Sequence, residues 1–205
     1  MRSDPVGMEM WYIGVADGCE LLRRSLSDPA FGEYLGGPAH FERGRWRYHQ
    51  VDLDAEFLAQ VDGMNRSHPG IEGRIYTLDR YFDMLHYLLS EGRRRGEYDG
   101  ADLGARSIRG GMSLPEHLRG GQGHPIRYTP PVEAVEIAAW LEGLTIGDLR
   151  SAYSPAEMER QCVYKYWADR ADEQTWDRIV GYFEGLRSFY AEVAAHGEGV
   201  LVVVT

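Results

Sequence analysis

Residues 172–204 read DEQTWDRIVGYFEGLRSFYAEVAAHGEGVLVVV, an amphipathic segment followed by a run of β-branched residues. Apolar side chains recur every three or four residues in the first part, which predicts one long helix from about 172 to 196. Gly197 suits the position just after the end of that helix. Val200–Val204 predicts a central β-strand, because valine favours strands.

The rest of the chain alternates in the same way between short apolar runs and helical patterns. Residues 8–16, MEMWYIGVA, predict a buried strand near the other end of the chain. Residues 77–89 and a segment that begins at Pro131 carry apolar residues at helical spacing. Strands at both ends with helices between them predict an α+β fold, in which a small sheet containing the N- and C-terminal strands packs against a layer of helices.

Capping residues predict where three shorter helices begin. Asp17 is expected to cap a helix directly after the first strand. Thr145 with Asp148, and Ser154 with Glu157, have the spacing of N-terminal capping boxes.

The length of 205 residues predicts one domain, 1–205. Residues 36–75 are an irregular expansion of that domain. Residues 92–125 contain nine glycines without a sustained period and predict a long Gly/Arg-rich loop, with a short strand around 105–108. From 92 to 127 there are seven arginines against four acids, so this segment is positive in a chain whose net charge is −10.

Composition excludes several classes of function. The 32 acidic against 22 basic residues oppose a general affinity for nucleic acid or anionic lipid. Lys165 is the only lysine and follows neither a glycine-rich loop nor a Ser-x-x pattern, which excludes a P-loop and a Ser-Lys nucleophile. Two cysteines cannot form a disulfide framework and suit a reducing cytoplasm. The longest apolar run, Val200–Val204, is too short to span a bilayer, so no membrane association is expected.

Three segments resemble the YfbM-like family of uncharacterised bacterial domains. They are LDRYFDMLHYLL at 78–89, GHPIRYTP at 123–130 followed by VEAV at 132–135, and residues 172–205. The resemblance implies an α+β YfbM-like fold, a bacterial source and a cytoplasmic setting. It implies no activity, because the family has none assigned.

Candidate site residues come from the first two of these segments. His86 lies on a leucine-rich helix, where a neutral imidazole can act as base or ligand, or can be a core residue bonded to the backbone. Arg127 and Tyr128 stand between the glycine-rich loop and a predicted helix, a position that suits an anion. The hypothesis is a ligand site formed by His86, Arg127 and Tyr128, with no catalytic residue assigned.

Signals for other chemistry are weak. The seven histidines are scattered and no zinc-binding spacing is present, so no metal and no cofactor is predicted. Arg43–His49 interleaves basic and aromatic residues as single-strand nucleic-acid surfaces do, but the same alternation is typical of an edge strand, and nucleic acid is not an expected partner.

These observations favour a non-catalytic cytoplasmic protein, monomer or homodimer, that binds a protein partner or a small anionic ligand. The alternative is a small hydrolase or transferase with a His/Arg pocket covered by the 92–125 loop. Whether the protein is an enzyme stays open at this point.

Overall fold

A five-stranded antiparallel sheet forms the centre of the protein. The computed structural model describes residues 8–28, 31–32, 59–60, 63, 74–90, 102–120, 123–164, 166 and 173–205. Within these ranges the strands are β1 (Met10–Ala16), β2 (Ile75–Thr77), β3 (Met112–Ser113), β4 (Arg127–Thr129) and β5 (Glu198–Val204). Their order across the sheet is β2-β1-β5-β4-β3. The valine-rich strand β5 therefore occupies the middle of the sheet, as its sequence predicts.

The pairing of β1 with β5 sets the register of the sheet. Met10 lies opposite Val204, and the pairing continues to the end of both strands. On the other side of β5, Arg127 lies opposite Val202 and Tyr128 opposite Leu201. Successive side chains of a strand point to opposite faces, so this register assigns each residue of β4 to one face of the sheet.

Helices pack on both faces of the sheet, and most of them cover one face. Within the described ranges their bounds are α1 (Glu20–Ser25), α2 (Phe82–Leu89), α3 (Leu103–Arg109), α4 (Pro131–Gly143), α5 (Ile146–Ala152), α6 (Pro155–Arg160) and α7 (Glu173–Ala195). The main core joins α2–α7 to the sheet residues Met10, Tyr12, Val200 and Val202. The α+β architecture predicted from the sequence is confirmed.

The opposite face of the sheet carries a second, smaller core. Its strand residues are Trp11, Ile13, Val15, Leu201 and Val203, and residues of α1 and of the segment before β4 pack against them. Alternate residues of β1 and β5 thus face two different apolar layers. This explains why Met10–Ala16 and Val200–Val204 are apolar throughout rather than alternating with polar residues.

The predicted helix over residues 77–89 contains more than one element. Thr77 ends strand β2, where it lies opposite Trp11, and a short 3-10 helix at Asp79–Tyr81 precedes α2. Only Phe82–Leu89 forms the α-helix, and every residue in it is buried. Because Thr77 pairs with β1, the first part of the predicted helix belongs to the sheet instead.

The structure corrects the strand expected around residues 105–108. Helix α3 covers Leu103–Arg109, so the segment predicted as a loop contains a helix. The Asp102 side chain caps it by accepting hydrogen bonds from the backbone N–H groups of Gly104 and Ala105, at 2.9 and 3.2 Å. A helix of two turns is too short to show a period in the sequence.

The structure bears out the three capping predictions to different degrees. The Asp17 prediction is wrong, because Asp17 lies in a turn with Gly18 and Cys19 is the N-cap of α1. Ser154 is the N-cap residue of α6 as predicted, but its side chain makes no capping hydrogen bond, and the Glu157 carboxylate accepts from Arg160 and Gln161. The capping box of Thr145 and Asp148 at the start of α5 is formed.

Two further expectations fall outside the described residues. The edge strand and basic-aromatic patch at residues 43–49 lie there, as does most of the expansion at 36–75. Among the helices in the described ranges, none is both long enough and apolar enough to cross a membrane.

Candidate functional site

A cleft of about 290 Å³ lies where strand β1 begins and strand β5 ends. Its lining residues are Met10, Arg109, His124, Pro125, Arg127, Val202 and Val204. Two arginines and a histidine line it, and none of its lining residues in the described part of the chain is acidic, although the chain as a whole has a net charge of −10. We call it the basic cleft.

Gly110 brings the end of helix α3 against strand β5. Its φ is +77°, in the left-handed region that favours glycine. A Cβ atom at this position would lie 2.9 Å from Val202 Cγ2 and 3.1 Å from Arg127 Cβ. The absence of a side chain at Gly110 therefore allows Arg109 and Arg127 to line the same cleft.

Two buried tyrosines anchor the last turn of α3. Tyr12 donates a hydrogen bond to the carbonyl of Ile108 at 2.7 Å, and Tyr190 donates to the carbonyl of Ser107 at 3.1 Å. These carbonyls lie at a helix end, where no further turn of the helix supplies an N–H group. Burial raises the pKa of Tyr12 well above its usual value, and the nearby Tyr190 raises it further. The helix end that carries Arg109 is therefore rigidly tied to β1 and α7.

Arg127 is oriented by the edge hairpin of the sheet. Its Nη1 donates to Ser113 Oγ at 3.0 Å, and its Nη2 donates to the carbonyl of Gly111. Ser113 lies directly opposite Arg127 in the pairing of β3 with β4. These two hydrogen bonds fix the orientation of the guanidinium group.

Arg109 is oriented by a buried carboxylate. Its Nη2 lies 3.5 Å from Asp83 Oδ1, and the Asp83 side chain is 4% exposed. The other carboxylate oxygen of Asp83 accepts the backbone N–H of Tyr164 at 2.9 Å. Asp83 thereby links helix α2, the end of α3 and the segment after α6.

This arrangement suits an anion with a short apolar part. Guanidinium groups in fixed orientation recognise carboxylate and phosphate groups, often with two parallel hydrogen bonds. Met10, Val202 and Val204 provide apolar surface in the same cleft. A few polar groups set in a largely apolar concave surface are typical of small-ligand sites.

The structure does not bring the three predicted site residues together. Arg127 lines the basic cleft. Tyr128, its neighbour in β4, packs with the smaller core on the other face of the sheet. Burial raises the pKa of Tyr128, and the nearby Asp17 and Cys19 raise it further. Alternation along the strand separates the two side chains.

His86 is buried on helix α2, with 6% of its surface exposed. It does not line the basic cleft. This position agrees with the second interpretation given for His86 from the sequence, that of a core residue.

Arg109 and His124 were not identified as site residues from the sequence. The signal that pointed in their direction is the excess of arginine between residues 92 and 127. That excess indicates a segment but does not identify a residue within it. Arg109 lines the cleft because of the turn at Gly110, and this turn depends on the contact of Gly110 with β5.

Other reactive groups in the described residues do not assemble a centre. No group of three or more His, Cys, Asp or Glu side chains there is arranged to hold a metal ion. Cys19 is buried and Cys162 is exposed, and both are free thiols.

Comparison with known proteins shows the fold and the family. A family model described as a domain of unknown function (DUF1877) matches residues 48–203. No curated protein matches the chain. A solved structure, that of YfbM from Escherichia coli, described as a protein of unknown function, matches with a TM-score of 0.61 at 16% identity. The match covers 96% of this chain and 99% of that chain, and it confirms the predicted YfbM-like fold.

Proposed function

We propose that this protein, which belongs to the DUF1877 family of domains of unknown function, is a non-catalytic binding protein that takes a small organic anion in the basic cleft. The anion carries a carboxylate or phosphate group and a short apolar part. The observation that carries the proposal is the pairing of Arg109 and Arg127 beside Met10, Val202 and Val204.

The charge of the cleft supports an anion. A positively lined concavity in a protein with net charge −10 concentrates anions locally, while the rest of the surface repels them. Both arginines are held by the protein before any ligand arrives. Pre-oriented groups lose less conformational freedom on binding, so the same contacts yield higher affinity.

A binding function is preferred to the hydrolase or transferase alternative. That alternative relied on His86 beside Arg127, and His86 does not line the cleft. His124 does line it, and its imidazole adds a further hydrogen-bonding group for the anion.

The test is a titration of the protein with inorganic phosphate, phenyl phosphate and benzoate. Calorimetry and the shift in melting temperature measure the binding. Benzyl alcohol is the uncharged control. We expect phenyl phosphate and benzoate to bind and benzyl alcohol to fail. Binding should weaken as salt concentration rises, because salt screens the arginine charges.

Arg127→Gln is the decisive variant. It removes the charge but keeps an amide that can donate to Gly111, and we expect it to weaken anion binding about tenfold or more, as lost hydrogen bonds between charged groups do. Arg119→Gln is the matched control, since Arg119 lies in the same segment but does not line the cleft. Equal affinity of Arg127→Gln and wild type would overturn the proposal.

The setting of this function is part of the proposal. We expect the protein to act in the cytoplasm as a monomer or homodimer, and the free thiol of exposed Cys162 is compatible with a reducing compartment. An acidic side chain of a protein partner has the same carboxylate chemistry as the probes. Capture of a stoichiometric partner by wild type but not by Arg127→Gln, with no binding of the small anions, would indicate a protein ligand instead.

A further inference from the structure

A second cleft lies between helices α2, α4 and α5. It has a volume of about 470 Å³, and none of its described lining residues lines the basic cleft. Its lining residues are Tyr87, Leu88, Leu89, Trp140, Leu144, Asp148, Leu149, Ser151 and Ala152. We call it the helical cleft. Its size lies within the range of small-molecule sites.

Most of the described side chains that line the helical cleft are apolar or aromatic. Tyr87, Leu88 and Leu89 come from α2, and each is 5% exposed. Trp140 comes from α4 and is only half-buried, so part of its indole ring stays accessible. These side chains fit a compact apolar body, such as a phenyl ring or a branched alkyl group.

Among the described residues that line this cleft, Asp148 is the only charged one. Its Oδ2 accepts hydrogen bonds from the backbone N–H and the hydroxyl of Thr145, at 2.8 and 2.7 Å. Among the described residues none donates a hydrogen bond to Oδ1. The capping box thus orients the carboxylate and leaves one of its oxygens available to a ligand.

The hydrogen bonds from Thr145 also favour the charged form of this carboxylate. The side-chain and backbone hydrogen bonds from Thr145 lower the pKa of Asp148. Ser151 lies beside it, and because its hydroxyl donates to the carbonyl of Asp148 at 2.7 Å, its oxygen can accept a hydrogen bond. Both polar groups at the rim therefore act as acceptors.

We propose that the helical cleft binds a small organic amine, whose ammonium group pairs with Asp148 while its aromatic or branched aliphatic body packs on Trp140 and the leucines. Acceptors at the rim require a donor on the ligand, and the aromatic face of a half-buried tryptophan such as Trp140 attracts a cation. The ligand has the opposite charge to that expected in the basic cleft, so this site is independent of the proposed function.

The test uses three probes of similar shape that differ in charge: phenethylamine as its ammonium ion, neutral phenethyl alcohol, and phenylacetate. Binding is followed by calorimetry and by the NMR signal of the Trp140 indole N–H, identified by its loss in Trp140→Phe. We expect the ammonium probe to shift this signal and to bind about fivefold more tightly than the alcohol, as an exposed ion pair does. Phenylacetate should leave the Trp140 signal unmoved.

Asp148→Asn is the key variant, because it removes the charge and keeps an oxygen that can accept from Thr145. It should bind the ammonium probe about as weakly as wild type binds the alcohol. Glu142→Gln is the matched control, since Glu142 is an exposed acid on the same helix as Trp140 and does not line the cleft. It should keep wild-type affinity.

Two further variants separate charge from stability. Thr145→Ala weakens the capping box but retains the Asp148 carboxylate, so it should retain binding at a lower melting temperature. Ala152→Leu adds bulk to the cleft and should abolish binding of all three probes at this site. No shift of the Trp140 signal with the ammonium probe, equal affinity for ammonium and alcohol, or undiminished binding by Asp148→Asn would each overturn the proposal.

Discussion

At the scale of single residues, the Tyr12 hydroxyl connects strand β1 to the end of helix α3 beside the basic cleft. Tyr12 lies on β1 and is completely buried. Its hydrogen bond to Ile108 reaches a residue 96 positions away along the chain. A tyrosine in an apolar strand is predicted to be buried. The acceptor of its hydroxyl hydrogen bond depends on where helix α3 ends.

Tyr12→Phe is expected to lower the free energy of unfolding by about 1–3 kcal/mol, because the buried carbonyl of Ile108 loses its donor. Urea denaturation of both proteins measures the change. Tyr182→Phe is the matched control, since Tyr182 is half-buried and its hydroxyl makes no hydrogen bond within the described residues. A loss no larger than that of Tyr182→Phe would show that the Tyr12 hydrogen bond contributes nothing.

Arg127 and Tyr128 illustrate what sequence position alone leaves undecided. They are neighbours in a segment that points to a binding site, yet strand alternation places them on opposite faces of the sheet. Tyr128 contributes to the smaller core, and Arg127 contributes to the cleft. Met10, Arg109 and Val202, which line the cleft with Arg127, come from other elements.

At the scale of elements, helix α7 packs closely on strand β2 through Gly185. A Cβ at Gly185 would lie 2.5 Å from the hydroxyl oxygen of Tyr76 and 2.7 Å from its ring. Tyr76 also donates a hydrogen bond to the carbonyl of Tyr182 at 2.7 Å. One turn away, Gly181 is exposed and a Cβ there would meet nothing within 4 Å.

These two glycines predict opposite effects of the same substitution. Gly185→Ala should destabilise the protein by about 1–3 kcal/mol, because the Tyr76 ring must move out of its contact. Gly181→Ala should stabilise it by up to about 1 kcal/mol, because alanine favours a helix and nothing obstructs it. Thermal and urea unfolding measure both changes, and a stabilising Gly185→Ala would contradict the packing described here.

Elements with strong periodic or local signals were predicted well. The helix beginning at Pro131 and the one ending before Gly197 follow from apolar spacing, and the box at Thr145 follows from a local hydrogen-bond pattern. Helix α3 has neither signal. Its backbone fits because Gly104 lies directly against the carbonyl of Leu89, where a Cβ would come within 2.0 Å of the oxygen. Such a contact exists only after α2 and α3 pack together.

At the scale of the whole molecule, burial of tyrosines makes stability depend on alkaline pH. Burial raises the pKa of Tyr12, Tyr76 and Tyr166 above the usual value of about 10. The unfolded chain therefore loses phenolic protons at lower pH than the folded protein. The stability from these neutral tyrosines is complete below about pH 10 and is lost as pH rises through the raised values.

We expect the free energy of unfolding to fall steadily above about pH 10, measured by urea denaturation at a series of alkaline pH values. The chain has one lysine and 21 arginines, so few groups other than tyrosine titrate in this range. Absorbance of tyrosinate should increase together with unfolding. A free energy that stays constant through this range would show that the folded protein does not hold these tyrosines neutral.

The α+β class, the central position of β5 and the long helix before it could all be predicted from the sequence. Apolar periodicity and runs of β-branched residues depend directly on which side chains are buried. It also indicated that the positive segment before Arg127 differs from the acidic remainder. Which arginines line the same cleft could be seen only in the folded protein. Arg109 and Arg127 line one cleft because the glycine turn at Gly110 packs against β5. Asp148 and Trp140 line another cleft because α5 packs beside α4. Contacts between separate elements depend on packing geometry, which no local pattern of residues encodes.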